Sequence, residues 1–198
     1  MSSQPKTYLT PEEYLDAERR NEFKSEYIDG EMVAMTGASR RHNLIAFSLA
    51  NLLGPQLRGR RCEAYMSDMR VRIPARGYTY PDMVVVCGEP QFEDDYLDTL
   101  LNPTLIIEVL SESTEPYDRF KKFAFYRTIE SLAEYTLVAQ HEYRVEQHTK
   151  QTDGRWLLSD HRSLEDVVDL VPVQCALALH EVYEKVSLPP SDLKEGEL

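Results

Sequence analysis

The sequence predicts an α/β or α+β fold, a mixed β-sheet flanked by helices, on three observations. Helix caps and helical periodicity appear near residues 10 and 40, and a helical stretch returns near 120. Two nearly continuous apolar runs, 80–87 (YPDMVVVC) and 104–110 (TLIIEVL), have the composition of central strands buried on both faces. The other strand candidates alternate apolar and polar residues, and Asp-Gly turns accompany two of them.

Each element has its own local reason. Thr10-Pro11-Glu12-Glu13 joins a capping-box Thr/Glu pair to a proline at the first helical position, so a helix runs over about 11–20. Asp29-Gly30 is a hairpin signal, because both residues tolerate positive φ. Ser39 caps a second helix in which His42, Ile45, Leu49 and Leu52 or Leu53 recur at spacings of three and four; it is expected to end near Gly54-Pro55. Residues 62–66 and 69–73 alternate and are expected to pair antiparallel. The two buried runs come next, separated by an acidic loop, 88–102, too polar for the core. A helix is expected over 117–129, with Phe120, Phe123 or Ala124, and Arg127 in successive turns. Strands over 134–139 and 143–149 and a turn at Asp153-Gly154 follow. Residues 156–186 hold short apolar pieces without an assignable element. One domain is expected over 1–188, with 189–198 a disordered tail.

Composition bounds the class. The chain has 198 residues, of which 42% are hydrophobic and 28% charged, enough for a real core. No stretch approaches the ~18 apolar residues of a membrane span, and MSSQPKTYLT lacks the apolar stretch of a secretory signal. Cys62, Cys87 and Cys175 are an odd number without a CxxC pair, and read as reduced residues of a cytoplasmic protein. The net charge is −12, yet residues 38–76 carry eight arginines against Glu63 and Asp68, a local +6. A basic block of that kind can meet phosphates while the remainder stays acidic; charges that merely solvate opposite faces fit equally well.

Two carboxylates stand out by position. Asp82 and Glu108 each interrupt an apolar run, and an ionised carboxylate buried without a partner costs several kcal/mol. If the two runs are neighbouring strands, both acids meet at one edge of the sheet, where a cation must sit between them. Mg²⁺ suits such a pair, since it takes one or two carboxylates and keeps several waters. Structural carboxylates paired with arginine remain the alternative. Lys121 and Lys122 follow on a helix expected to pack against these strands, and an ammonium there can steady an attacking water and the charge growing on phosphorus. A solvent-facing lysine pair is the alternative. No GxSxG elbow and no GxxxxGK loop occurs, and His180-Glu181 lacks the second histidine of a zincin.

Pro81-Asp82 followed by Glu108 on the next buried strand resembles the PD-(D/E)XK nuclease superfamily of restriction-endonuclease-like folds. More narrowly, the chain resembles the Uma-type restriction-endonuclease branch. The resemblance rests on residues 26–31 (EYIDGE), 39–42 (SRRH), 67–72 (SDMRVR), 80–86 (YPDMVVV), 102–111 (NPTLIIEVLS), Ser113-Thr114, Tyr117-Asp118-Arg119 and Glu134-Tyr135, in order over nearly the whole chain.

The resemblance implies Asp82 and Glu108 as ligands of Mg²⁺ (or Mn²⁺), the main-chain carbonyl of Val109 completing the site, and a lysine assisting the attacking water. The motif's own lysine position holds Leu110, so the role passes to the following helix, to Lys122 ahead of Lys121. Glu26 and His42 are implied as auxiliary catalytic residues. Glu26 pairing with Arg40 or Arg41, and a structural His42, are their alternatives; Glu31, Asp68 and Asp118 read as turn or ion-pair residues. The function implied is a Mg²⁺-dependent endonuclease acting on DNA, with Arg40, Arg41, Arg58, Arg60, Arg61, Arg70 and Arg72 on the phosphate backbone. A homodimer would suit cutting both strands. The rival is an inert nuclease-like fold that binds nucleic acid or a protein partner.

Overall fold

The computed structural model describes residues 8–111 and 115–188; the expected tail and the Ser113-Thr114 pair lie outside them. The first part of the chain holds α1 (Pro11–Glu18), β1 (Ser25–Ile28), β2 (Glu31–Ala34), α2 (Arg40–Leu57), β3 (Cys62–Met66) and β4 (Arg70–Ile73). Then come β5 (Gly77–Thr79), β6 (Met83–Cys87), β7 (Thr99–Leu100), β8 (Leu105–Leu110), a π-helical turn (Tyr117–Lys122) and α3 (Phe123–Tyr126). The last part holds β9 (Glu134–Ala139), β10 (Val145–Lys150), β11 (Trp156–His161), β12 (Val167–Leu170), β13 (Cys175–Ala178) and α4 (Leu179–Val182).

A six-stranded sheet in the order β11-β10-β9-β8-β6-β3 forms the centre, with β8 and β9 parallel and the other neighbours antiparallel. Side chains alternate across it. Leu105, Ile107 and Val109 of β8 pack with Ile45, Leu49 and Leu53 of α2, beside β12, β13 and α4. Ile106 and Leu110 turn the other way, against Tyr126 of α3 and against Val71, Ile73 and Leu100 of a second sheet, β2-β1-β5-β4-β7. Each fully buried aliphatic side chain contributes about 1.5–3 kcal/mol, so the two-sided burial read from the apolar runs holds this sandwich together.

The local signals at the start of the chain act as read. Thr10 Oγ1 accepts from Glu13 N at 3.2 Å while Glu13 Oε2 accepts from Thr10 N at 2.8 Å, which closes the capping box of α1. Asp29 and Gly30 take φ of 51° and 91° and join β1 to β2. Gly77 is required by proximity: a Cβ there would lie 1.9 Å from the Tyr27 carbonyl oxygen. Tyr14 stacks on Tyr27 and Tyr78 at centroid distances of 4.9 and 5.3 Å, fastening α1 to β1 and β5.

Several expectations are corrected. Residues 62–66 and 69–73 do not pair: β3 is an edge of the central sheet, alongside β6, while β4 enters the second sheet beside β5 and β7. Alternation reports which face of a strand is buried and says nothing about which strand lies beside it. The antiparallel register of β3 and β6 sets Cys62 opposite Cys87, and the two form a disulfide. Only Cys175 is a free, buried thiol, so cysteine usage no longer argues for a reducing compartment. α2 runs through Gly54-Pro55 to Leu57, because Leu53 and Leu57 both insert into the core and their burial offsets the hydrogen bond that proline cannot make.

The acidic loop also reaches the core. Thr99–Leu100 is a strand parallel to β4 with Leu100 wholly buried, and Arg19 holds Asp94 and Asp98 at 2.8 and 2.9 Å. The expected helix over 117–129 starts as a π-helical turn, which faces Asp118 and Lys122 inward and leaves Phe120 exposed. Phe120 is therefore not a core residue.

Candidate active site

The site forms where the chain crosses between the two sheets. Residues 80–82 link β5 of the second sheet to β6 of the central one, and Pro81, with no N–H to give to a ladder, marks the crossing. Asp82 thereby sits at the start of β6. Glu108 lies on the neighbouring β8, on the face turned toward α3. The two strands are antiparallel, with Met83 opposite Ile107. Asp82 Oδ2 accepts from Val109 N at 2.7 Å, and Glu108 Oε2 approaches Asp82 N at 3.4 Å. The two carboxylates named from the sequence do converge.

Three further elements close on this pair. β1 brings Glu26, whose Oε1 faces Tyr80 N at 3.4 Å; it is placed by α1, since Glu18 Oε1 accepts from Ser25 N at 2.8 Å. The π-helical turn brings Lys122, whose Nζ lies 3.1 Å from Glu26 Oε1, 3.1 Å from Glu108 Oε1 and 3.4 Å from Asp118 Oδ1. The first turn of α2 comes from the opposite face of the sheet and sets His42 Nε2 at 2.9 Å from Asp82 Oδ1. That turn is fixed twice over: Ser39 Oγ caps His42 N at 3.1 Å and also donates to Gln140 Oε1 at the end of β9.

Electrostatics follow from burial and crowding. Burial first, then the charges of Asp82, Asp118 and Glu26, push Glu108 up to about 8 against the opposing pull of Lys122. Burial alone would favour neutral Lys122, yet Glu108, Glu26 and Asp118 outweigh it and hold the ammonium well above the usual lysine range. Burial likewise opposes charge on His42, but its hydrogen bond to Asp82, the charge of Asp82 and the Val109 backbone raise its pKa above the ordinary imidazole value.

The sequence-named residues thus divide cleanly. Asp82, Glu108, Glu26, His42 and Lys122 come together, with the Val109 backbone among them. Lys121 is exposed and points away from the cluster. Glu26 meets Lys122 and not Arg40 or Arg41. Asp118 is an ion-pair residue, as read, although its partner is the site lysine. Asp68 lies outside, paired with Lys24 at 2.7 Å, and Glu31 faces Ile28 across the hairpin. Tyr126 and Thr79 were missed as site residues. The signal was present, because Tyr126 is four residues after Lys122 and shares its face.

The arginine block does not form one surface. Arg70 is buried against Asp98 and Thr99, Arg72 pairs with Glu93 at 3.1 Å, and Arg60 donates to the Val173 and Gln174 carbonyls at 3.1 and 2.6 Å. Arg70 is buried and structural, which corrects its assignment to phosphates, while Arg60 and Arg72 are engaged with the protein but stay exposed. Arg58 and Arg61 are exposed beyond the C-terminal end of α2, about 25 Å from its start. Arg40 and Arg41 alone stand at the end of α2 that carries His42.

Among the described residues no three His, Cys, Asp or Glu side chains close on a common metal point. The two carboxylates that do meet, Asp82 and Glu108, are a set of the size that suits an ion content with one or two protein carboxylates and several waters.

A mixed sheet whose central-strand acids meet a helix-borne lysine at a sheet crossing is a nuclease-like fold of the restriction-endonuclease type. The chain belongs to the Uma2 family, described as "Putative restriction endonuclease", which it matches over residues 11–180. It is 44% identical over 153 residues to the uncharacterized protein sll1609 of Synechocystis sp., covering 77% of this chain and 86% of that one. It is 36% identical over 182 residues to slr1290 of the same organism, covering 91% and 94%. A crystal structure of "a putative nuclease belonging to DUF820" from Anabaena variabilis superposes with a TM-score of 0.71 at 17% identity, covering 89% of this chain and 98% of that one.

Proposed function

We propose that the protein is a divalent-metal-dependent endonuclease that hydrolyses phosphodiester bonds in DNA. The observation that carries this reading is the convergence of Asp82, Glu108 and Lys122 at one sheet crossing, with the lysine 3.1 Å from the glutamate. Asp82, Glu108 and the Val109 carbonyl would hold Mg²⁺ or Mn²⁺, which supplies Lewis-acid charge at the scissile phosphate. Lys122 would steady the attacking water and the charge growing on phosphorus through its positive charge. Its position is set by Glu26 and Asp118, which both hold the ammonium. His42, already bonded to Asp82, would face the phosphate side together with Arg40 and Arg41 at the start of α2.

A second reading, an inert fold that binds nucleic acid or a protein partner, is favoured by the full engagement of Lys122 by three carboxylates. Plasmid nicking with Mg²⁺ or Mn²⁺ separates the two. The wild-type chain should convert supercoiled DNA, and Asp82→Ala or Glu108→Ala should lower the rate by at least about 10³-fold, the counterpart of several kcal/mol of charge stabilisation. Cleavage that persists in both variants would place the activity elsewhere.

A further inference from the structure

Tyr126 has no part in the reaction as read so far, yet its hydroxyl is aimed at the site. The side chain is wholly buried, its ring held 5.2 Å from Tyr135, and its OH lies 2.9 Å from Glu108 Oε1 and 3.0 Å from Thr79 Oγ1. A phenol has one proton, and Glu108 Oε1, which also accepts from the Lys122 ammonium, has none to give. Tyr126 therefore donates to Glu108, and Thr79 donates to Tyr126. A buried tyrosine needs one partner, and Thr79 alone would have met that need.

The consequence is a division of labour between the two oxygens of Glu108. Oε1 accepts from Tyr126 at 2.9 Å and from Lys122 at 3.1 Å, which fills both of its lone-pair directions. Among the described residues Oε2 has only the long approach of Asp82 N at 3.4 Å, and it faces Asp82. Without the phenol, Lys122 by itself does not hold the carboxylate in one orientation, because an ammonium is a point charge that either oxygen can accept from.

We propose that Tyr126, backed by Thr79, is a positioning residue that ties down Glu108 Oε1 and presents Oε2 toward Asp82 as the metal-binding oxygen. This rests on the metal-site reading above. It assigns Tyr126 a function through Glu108 and no contact with substrate.

The test is Mn²⁺ binding by titration calorimetry on the full chain, without DNA. Tyr126→Phe keeps the ring and removes the hydroxyl. Its Mn²⁺ affinity should fall about 10- to 100-fold, the usual effect of losing a partner that orients a ligand, while the circular dichroism and melting of the metal-free protein stay near wild type. The Mn²⁺-induced rise in Tm should shrink in step. Wild-type affinity in Tyr126→Phe would overturn the proposal alone. Binding by the wild type that is absent, or unchanged by Asp82→Ala, would overturn the metal-site reading and the proposal together. If Tyr126→Phe does not fold, Thr79→Val decides: binding weakened threefold or more supports the proposal, and unchanged binding overturns it.

Discussion

Glu108 and Glu134 are both buried glutamates on adjacent parallel strands, β8 and β9, and they face opposite sides of the same sheet. Burial raises both, Glu108 to about 8 and Glu134 to about 7. Their partners differ in kind. Glu134 is answered by neutral donors, Thr136 Oγ1 at 3.1 Å and Gln147 Nε2 at 2.9 Å, and Glu134 Oε2 lacks a hydrogen bond among the described residues. Glu108 is answered by the ammonium of Lys122, shares that cation with two more acids, and lies beside the partly open Asp82. A raised pKa alone therefore does not mark a site. The mark is a charged counterpart and an open side.

The largest effect expected from breaking this contrast is at Lys122. Lys122→Met removes the cation from three carboxylates, and stability of the metal-free protein should fall by about 3–5 kcal/mol in urea denaturation near pH 7. A loss below about 1 kcal/mol would show that the acids simply take up protons and that the ammonium is dispensable.

Glu134→Gln should act in the opposite direction. The folded state holds the Glu134 proton up to about pH 7, whereas the unfolded chain releases it near 4.5, so the stability of the carboxylic acid form is complete below 4.5 and lost as pH rises through 7. The amide keeps the neutral form at every pH. The variant should gain roughly 2–3 kcal/mol above pH 8, and the gain should vanish by pH 4 when melting is followed across that range. A gain that does not depend on pH would assign the effect to packing. Mn²⁺ affinity should be untouched.

The smallest expected change in stability is Glu108→Gln. Burial already drives this acid toward its neutral form, so the metal-free protein should stay within about 1 kcal/mol of wild type at pH 7, while Mn²⁺ binding by calorimetry is lost. Retained Mn²⁺ affinity would remove Glu108 from the donor set and erase the contrast with Glu134.

Much of this architecture was legible in advance, and particular residues show why. The capping box at Thr10, the turn at Asp29-Gly30 and the buried strands over 80–87 and 104–110 depend on local backbone preference and on period, both written in consecutive residues. The same holds for Asp82 and Glu108, since a charge inside an apolar run is conspicuous without coordinates. The spacing of Lys122 and Tyr126 put them on one helical face, although the π-helical turn that seats Asp118 beside Lys122 and turns Arg119 to Glu115 and Glu146 has no comparable local signature.

Pairings between partners far apart in the chain were settled by packing. The disulfide of Cys62 with Cys87, the placement of β3 and β4 in different sheets, and the use of Arg70 as an internal brace all depend on which strand lies beside which. So does the choice of Glu26 for Lys122, which needs the second sheet to cross the first. Which residues prefer helix, strand or turn, and which charges would need compensation, could be read from consecutive residues, because those are short-range properties of a residue and its neighbours. Which group supplies each compensation came from packing, because a counter-charge is selected by distance in space and the fold brings together segments separated by more than a hundred residues.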